Sequence, residues 1–208
     1  MFFLHGQGDY CGRYGYWAKH FALNGYDVVG CDYPSFGKSD GSPRFVWSSQ
    51  YDGINAYLRF IKAINKEFGE QPSFLMGYSL GTLHSLHIGN FMPESFRGMV
   101  LMAPFTNIPE KYRMYMPLLP ALNALASYLP RWNVVAGFDR RPTIYEYLHK
   151  DPIKTQCMTA RNLTYVVQLM QELPEPEKLK SPPILALFGA RDGTTGPHYA
   201  RSYLSKTP

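Results

Sequence analysis

The most constraining stretch of the chain is Gly77-Tyr78-Ser79-Leu80-Gly81, set between the apolar run Phe74-Leu75-Met76 and the segment Thr82-Leu83-His84-Ser85-Leu86-His87-Ile88. The run before it reads as a strand covered on both faces, and the segment after it reads as a helix. A strand that becomes a helix within one residue must pass through a sharp, strained turn at Ser79. Only residues without a side chain fit where the two elements approach, which accounts for Gly77 and Gly81. The serine is left at the carboxyl edge of a sheet with a helix amino terminus beneath it. G-x-S-x-G also arises by chance as a glycine-rich turn, so the flanking strand and helix are what give the motif its meaning.

The rest of the chain alternates in the same way. Phe2 to Leu4 is strand-like and runs into the turn His5-Gly6-Gln7-Gly8. A helix is predicted over about 14–24, ended by Gly25 in a position that a C-cap favours. Val28 and Val29 mark a second strand, followed by the loop Asp32-Tyr33-Pro34-Ser35-Phe36-Gly37-Lys38-Ser39-Asp40-Gly41. From Trp47 to Phe68 the residues Ile54, Tyr57, Leu58, Ile61, Ile64 and Phe68 recur on one helical face. Ser73 to Met76 and Met99 to Met102 are further strands, and 183–188 reads as another buried strand. Strands alternating with helices predict a mostly parallel sheet with its functional loops at the strand carboxyl ends.

Between Pro104 and Pro183 the pattern changes. The segment is rich in Met, Tyr, Leu and Pro, densest at Met114-Tyr115-Met116-Pro117-Leu118-Leu119-Pro120, and no strand signal interrupts it. It reads as a helical lobe over 105–180 inserted into a core made of 1–104 and 181–208. Its Met and aromatic residues either pack lobe against core or line an apolar pocket as a lid. Glu172 to Lys180 reads as the exposed return linker.

Composition excludes several alternatives. A chain of 208 residues, 45% hydrophobic and 15% aromatic, is globular and long enough for one domain with an inserted lobe. The net charge of +5 is spread along the chain without a basic stripe, which argues against nucleic acid and leaves at most peripheral contact with an anionic membrane surface. No apolar run is long enough to span a bilayer. Cys11, Cys31 and Cys157 lack metal-ligand spacing and read as reduced thiols, the state expected in the cytoplasm.

His5-Gly6-Gln7-Gly8 with Gly12-Arg13-Tyr14, the loop from Asp32 to Gly41, Gly77-Tyr78-Ser79-Leu80-Gly81 and Gly189-Ala190-Arg191-Asp192 occur in the order found in α/β-hydrolases. Together they resemble the monoacylglycerol lipase and lysophospholipase group, also described as serine aminopeptidase-like hydrolases. The chain departs at Pro34-Ser35, where that group has a glycine-containing pair, and at Thr82, where it often has a third glycine. Neither departure is expected to touch the chemistry.

Acyl transfer needs a nucleophile, a base and an acid that orients the base. Ser79 is the candidate nucleophile. Asp192, which follows a later strand in the Ser…Asp…His order of this fold, is the candidate acid, although Arg-Asp-Gly is also an ordinary turn. By the resemblance, the backbone N–H groups of Leu80 and Gln7 form the oxyanion hole, and His5 braces the first turn. No metal or organic cofactor is implied. The implied substrate is a lipid-like carboxylic ester such as a monoacylglycerol or lysolipid. A peptidase, a thioesterase or a hydrolytically inactive binding protein on the same scaffold are the alternatives.

The resemblance places the base further past the acid than Pro208. His198 begins the next helix and reads as a surface residue, and His20, His84, His87 and His149 read as structural or solvated. The first two strands of the group likewise have no counterpart before Phe2. The sequence is therefore expected to be part of a longer polypeptide. The intact mass of the native protein tests this: it should lie well above 23.8 kDa, with a histidine in the added carboxyl-terminal peptide.

Overall fold

Phe2–Leu4 (β1), Phe74–Tyr78 (β2), Gly98–Met102 (β3) and Ile184–Leu187 (β6) form a parallel sheet in the order β1-β2-β3-β6 in the computed structural model. The structure describes residues 1–108 and 158–208, with 113–114, 116–118, 120–121, 124–125, 133–134, 151 and 153. Val29 extends the sheet beyond β1 through a single parallel bridge to Phe2, so the expected second strand is reduced to one residue. Chain order reverses across the sheet between β1 and β2. In doubly wound sheets that reversal opens a crevice at the carboxyl ends, where ligands bind. Leu4 pairs with Gly77 there, bringing the turns after both strands side by side.

Gly15–Leu23 (α1) follows a short 3-10 turn at Cys11–Tyr14. Asp52–Phe68 (α2) starts five residues later than the apolar period suggests, because the Asp52 carboxylate accepts from the backbone N–H groups of Ser48 and Ser49 and fixes a turn there. The helix buries Ile54, Tyr57 and Ile61, whereas Phe68, expected on the same face, is exposed at the last turn. The Tyr57 hydroxyl lies 2.7 Å from the Phe3 carbonyl and 2.6 Å from that of Cys31, tying α2 to the sheet edge. Cys11 and Cys31 are free; burial pushes their thiols up to about 12 and about 11, so both stay protonated. Cys157 lies outside the described residues.

Leu80–Phe91 (α3) is buried nearly all round: from Leu80 to Gly89 only His87 keeps partial exposure, with a ring nitrogen 2.9 Å from the Leu169 carbonyl. A helix without a polar face has to be central, and this one packs against β1, β2 and β3. Gly89 lets it close on the sheet, since a Cβ there would stand 2.5 Å from Met99 Sδ.

Two expectations are corrected. The run at 184–187 is not buried in this structure: among the described residues β6 pairs with β3, and Leu185 and Leu187 are 56% and 46% exposed. A continuous apolar run cannot distinguish a central strand from one at the margin. The stretch after Pro104 also contains extended pairing, because Asn133–Val134 (β4) is antiparallel to Met158–Thr159 (β5). Most of 109–157 lies outside the described residues.

Ala160–Gln171 (α4) is capped by Thr159, whose hydroxyl accepts from the Asn162 N–H. Its Val166 and Leu169 join the same core as Leu83 and Leu86 of α3. Asn162, fully buried, accepts from the Trp47 N–H at 3.0 Å and donates to the Phe45 carbonyl at 3.0 Å. The return segment is pinned as well: after a 3-10 turn at Pro176–Lys178, Leu179 is 2% exposed.

Burial holds three histidines neutral. The imidazole of fully buried His84 is pushed down from its ordinary 6.5 to about 3, and those of His5 and His87 are also lowered, burial being the largest cause in each. Between the two His84 values the unfolded chain binds a proton that the native chain refuses, so stability is full above pH 6.5 and falls as the pH drops through that window. The slope from His84 alone should approach about 1.4 kcal/mol per pH unit. Melting curves from pH 7 to 4 check this, and His84→Gln should flatten them.

Candidate active site

The site is built on the turn between β2 and α3. Ser79 has φ 53° and ψ −118°, a conformation that costs a non-glycine residue about 1–3 kcal/mol and persists only where neighbours hold it. Its N–H donates to the Met102 carbonyl at 2.9 Å, and its own carbonyl accepts the N–H of Thr82 at 2.9 Å and the hydroxyl of Thr82 at 2.6 Å. Ser79 is partly exposed while Leu80 behind it is buried. Leu80 opens α3, so its N–H belongs to the first-turn groups that have no intrahelical acceptor.

The glycines on either side are required by contact. A Cβ on Gly77 would stand 2.5 Å from the Gly81 carbonyl oxygen and 2.7 Å from Ser85 Oγ. A Cβ on Gly81 would drive into the Leu4 carbonyl and sit 2.8 Å from that of His5. Gly81→Ala should therefore push β1 and its turn away from α3. The expected loss is about 3 kcal/mol, a fall of roughly 6–12 °C in Tm by calorimetry, with the first turn displaced.

That first turn lies directly against the serine. A Cβ on Gly6 would be 3.3 Å from Ser79 Cβ and 3.1 Å from the Tyr78 ring. His5 is fully buried. The Tyr33 N–H donates to its Nε2 at 3.1 Å, which puts the proton on Nδ1, 2.8 Å from the Gly6 carbonyl. Gln7 comes next, and both polar atoms of its side-chain amide are buried without a partner among the described residues.

Sequence reasoning missed the group that holds this turn in place. Asp9, 4% exposed, accepts from Arg13 Nη1 at 2.9 and 2.8 Å and from the Tyr14 hydroxyl at 2.8 Å. The Tyr10 hydroxyl donates to Asp151 at 2.8 Å, linking the turn to a residue far along the chain. The i, i+4 spacing of Asp9 and Arg13 was the available signal. Burial, then Asp9 and Asp192, raise the Tyr78 phenol above its usual range.

Asp192 lies in the turn after β6. Its Oδ1 accepts from the N–H groups of Thr194 at 2.8 Å and Thr195 at 3.0 Å, and its Oδ2 from the Thr195 hydroxyl at 2.5 Å. Partial burial pushes its pKa up, but these three bonds outweigh it and hold the carboxyl below the ordinary value. Among the described residues no hydrogen bond joins a histidine to Ser79 or Asp192. His198 is exposed on Pro197–Leu204 (α5), its ring 3.9 Å from that of Tyr199, and His20 is exposed on α1. His149 lies outside the described residues.

The parallel sheet, the reversal of chain order between β1 and β2, and a strained serine on the turn from β2 to α3 define the α/β-hydrolase fold. Residues 1–208 match the family described as serine aminopeptidase, S33, and the chain belongs to that family. It is 28% identical over 203 residues to the monoglyceride lipase of Mus musculus and 27% identical over 202 residues to that of Homo sapiens, covering 92% of this chain in each case. The chain spans 64% of the length of these relatives. Among solved structures, the monoacylglycerol lipase of Paleococcus ferrophilus superposes with a TM-score of 0.81 at 27% identity, over 99% of this chain and 79% of that one. A soluble variant of the Saccharomyces cerevisiae monoglyceride lipase, in complex with a substrate analog, gives 0.81 at 20% identity over 100% and 73%, a likeness of fold. Among the described residues no helix is long and apolar enough to cross a membrane.

Proposed function

We propose that this protein is a serine hydrolase of carboxylic esters that works through an acyl-enzyme on Ser79, with monoacylglycerols or lysolipids as its substrate class. The observation that carries the reading is Ser79 itself, held at positive φ on the β2–α3 turn with Gly6 packed against its Cβ. A short hydroxyl side chain held in that way meets a carbonyl carbon without rearrangement. Ser79 Oγ attacks the ester carbonyl and gives up its proton to a histidine base, which Asp192 orients and stabilises when charged. The developing oxyanion takes the N–H groups of Leu80 and Gln7. Collapse releases the alcohol, protonated by the same histidine, and leaves the acyl group on Ser79; water then repeats the sequence to free the acid.

The family and the monoglyceride lipase relatives support the ester and the lipid-like acyl chain. On this reading 105–180 is an inserted segment, and the described α4 anchors it on the core.

The test uses the native protein that carries this sequence, incubated with a monoacylglycerol, a lysophospholipid, an acyl-CoA and an aminoacyl anilide. Fatty acid should be released fastest from the glycerol ester, and quenched samples should carry the acyl mass on the peptide containing Ser79. Faster cleavage of the anilide or the thioester would move the activity to a peptidase or thioesterase. Ester hydrolysis without an adduct on Ser79 would end the acyl-enzyme reading.

A further inference from the structure

Thr82 stands where the related hydrolases often have glycine, and its side chain is fully buried in the first turn of α3. Its hydroxyl uses both of its capacities. Oγ–H donates to the Ser79 carbonyl at 2.6 Å, and the same oxygen accepts the Phe105 N–H at 2.9 Å. Ser79 N–H also donates to the Met102 carbonyl at the end of β3, and Ala103 N–H beside it donates to the Leu187 carbonyl of β6, each at 2.9 Å. Ala103, at φ 50°, is strained in the same sense as Ser79. Two strained turns at adjacent strand ends are thus tied together through one hydroxyl.

The consequence follows from the planarity of the peptide. The Ser79 carbonyl and the Leu80 N–H belong to one rigid trans unit and point in opposite directions. Whatever holds that carbonyl toward the body of the helix also turns the Leu80 N–H outward, toward the space above the serine. We propose that Thr82 is a positioning residue that orients the Ser79–Leu80 peptide, and so aims the Leu80 N–H at the oxyanion. This rests on the reading of Ser79 as the nucleophile. On this proposal a threonine at this position does bear on the chemistry, contrary to the expectation from sequence.

Thr82→Val keeps the shape and removes both hydrogen bonds, whereas Thr82→Ser keeps them. With the native protein carrying this sequence, Thr82→Val should lower kcat for a monoacylglycerol by about 10–100-fold with KM within about twofold, a part of the 10²–10³-fold attached to a whole oxyanion donor. Thr82→Ser should stay within about threefold of wild type. Affinity for a trifluoromethyl ketone, which forms a tetrahedral oxyanion adduct on a serine, should fall in parallel with kcat. Thr164→Val removes a comparable buried hydroxyl, bonded to the Ala160 carbonyl on α4, and should change Tm without changing kcat. If Thr82→Val does not fold, Thr82→Ala takes its place.

Unchanged kcat in the hydroxyl-free variant overturns the proposal, and so does a fall in kcat without weaker ketone binding. A wild-type protein that neither hydrolyses the ester nor binds the ketone overturns the hydrolase reading, and this proposal with it.

Discussion

Ser79→Ala is expected to abolish ester hydrolysis, by about a million-fold in kcat, while Tm and the circular dichroism spectrum stay close to wild type. Alanine keeps the Cβ, so the backbone at φ 53° carries the same strain, and the bonds of Ser79 N–H to Met102 and of its carbonyl to Thr82 are unaffected. Only Oγ is removed. What survives is whatever orientation and charge stabilisation the amides of Gln7 and Leu80 provide without a nucleophile. Stopped and steady-state assays on purified variants give the number, and retained activity within about tenfold would take Ser79 out of the mechanism.

Asp192→Asn should cost about 10⁴ in kcat with little effect on the fold. The three donors in its turn explain why a near-isosteric change is so expensive for chemistry and so cheap for structure. The N–H groups of Thr194 and Thr195 both need Oδ1, which an asparagine carbonyl can supply, and its amide can donate to the Thr195 hydroxyl. The remaining face then presents N–H where the carboxylate presented an acceptor, so a histidine N–H finds no partner and adopts the wrong tautomer. The same three bonds depress the Asp192 pKa. A carboxyl held below its ordinary value adds stability above that value and loses it as the pH falls through the folded one. Its charge is therefore in place throughout the neutral range. A variant losing less than tenfold would mean that a different acid orients the base.

The elbow could be read from sequence because its constraint is local. Two glycines and a serine between an apolar run and a helical segment leave almost no other conformation, and a Cβ on Gly77 or Gly81 would indeed collide with a backbone carbonyl. The parallel order of the strands was legible for a similar reason, since alternation with helices leaves few topologies. What was not legible depends on residues distant in sequence. The apolar run at 184–187 gives a strand, but the run alone does not say which strands lie beside it. Asn162 would pass for a helix-surface residue, yet it is buried because Phe45 and Trp47 offer it an acceptor and a donor across more than a hundred residues.

Substitutions relative to relatives carried information that the sequence alone could not decode. Ser35 stands in a pair where the related group has a glycine, and the structure gives it φ 67°, so the glycine-like conformation is kept without the glycine. Thr82 replaces another glycine and brings a hydroxyl with two bonds. Each departure became interpretable once its backbone angles and partners were known.

The burial of α3 has a consequence for how such a protein can diversify. A helix wrapped on nearly every side offers few positions where a side chain can change size, so a lineage adapting to a new ester has little freedom in the element that carries its nucleophile. Room for change is expected outside α3, and divergence in substrate choice should accumulate there while the helix barely drifts.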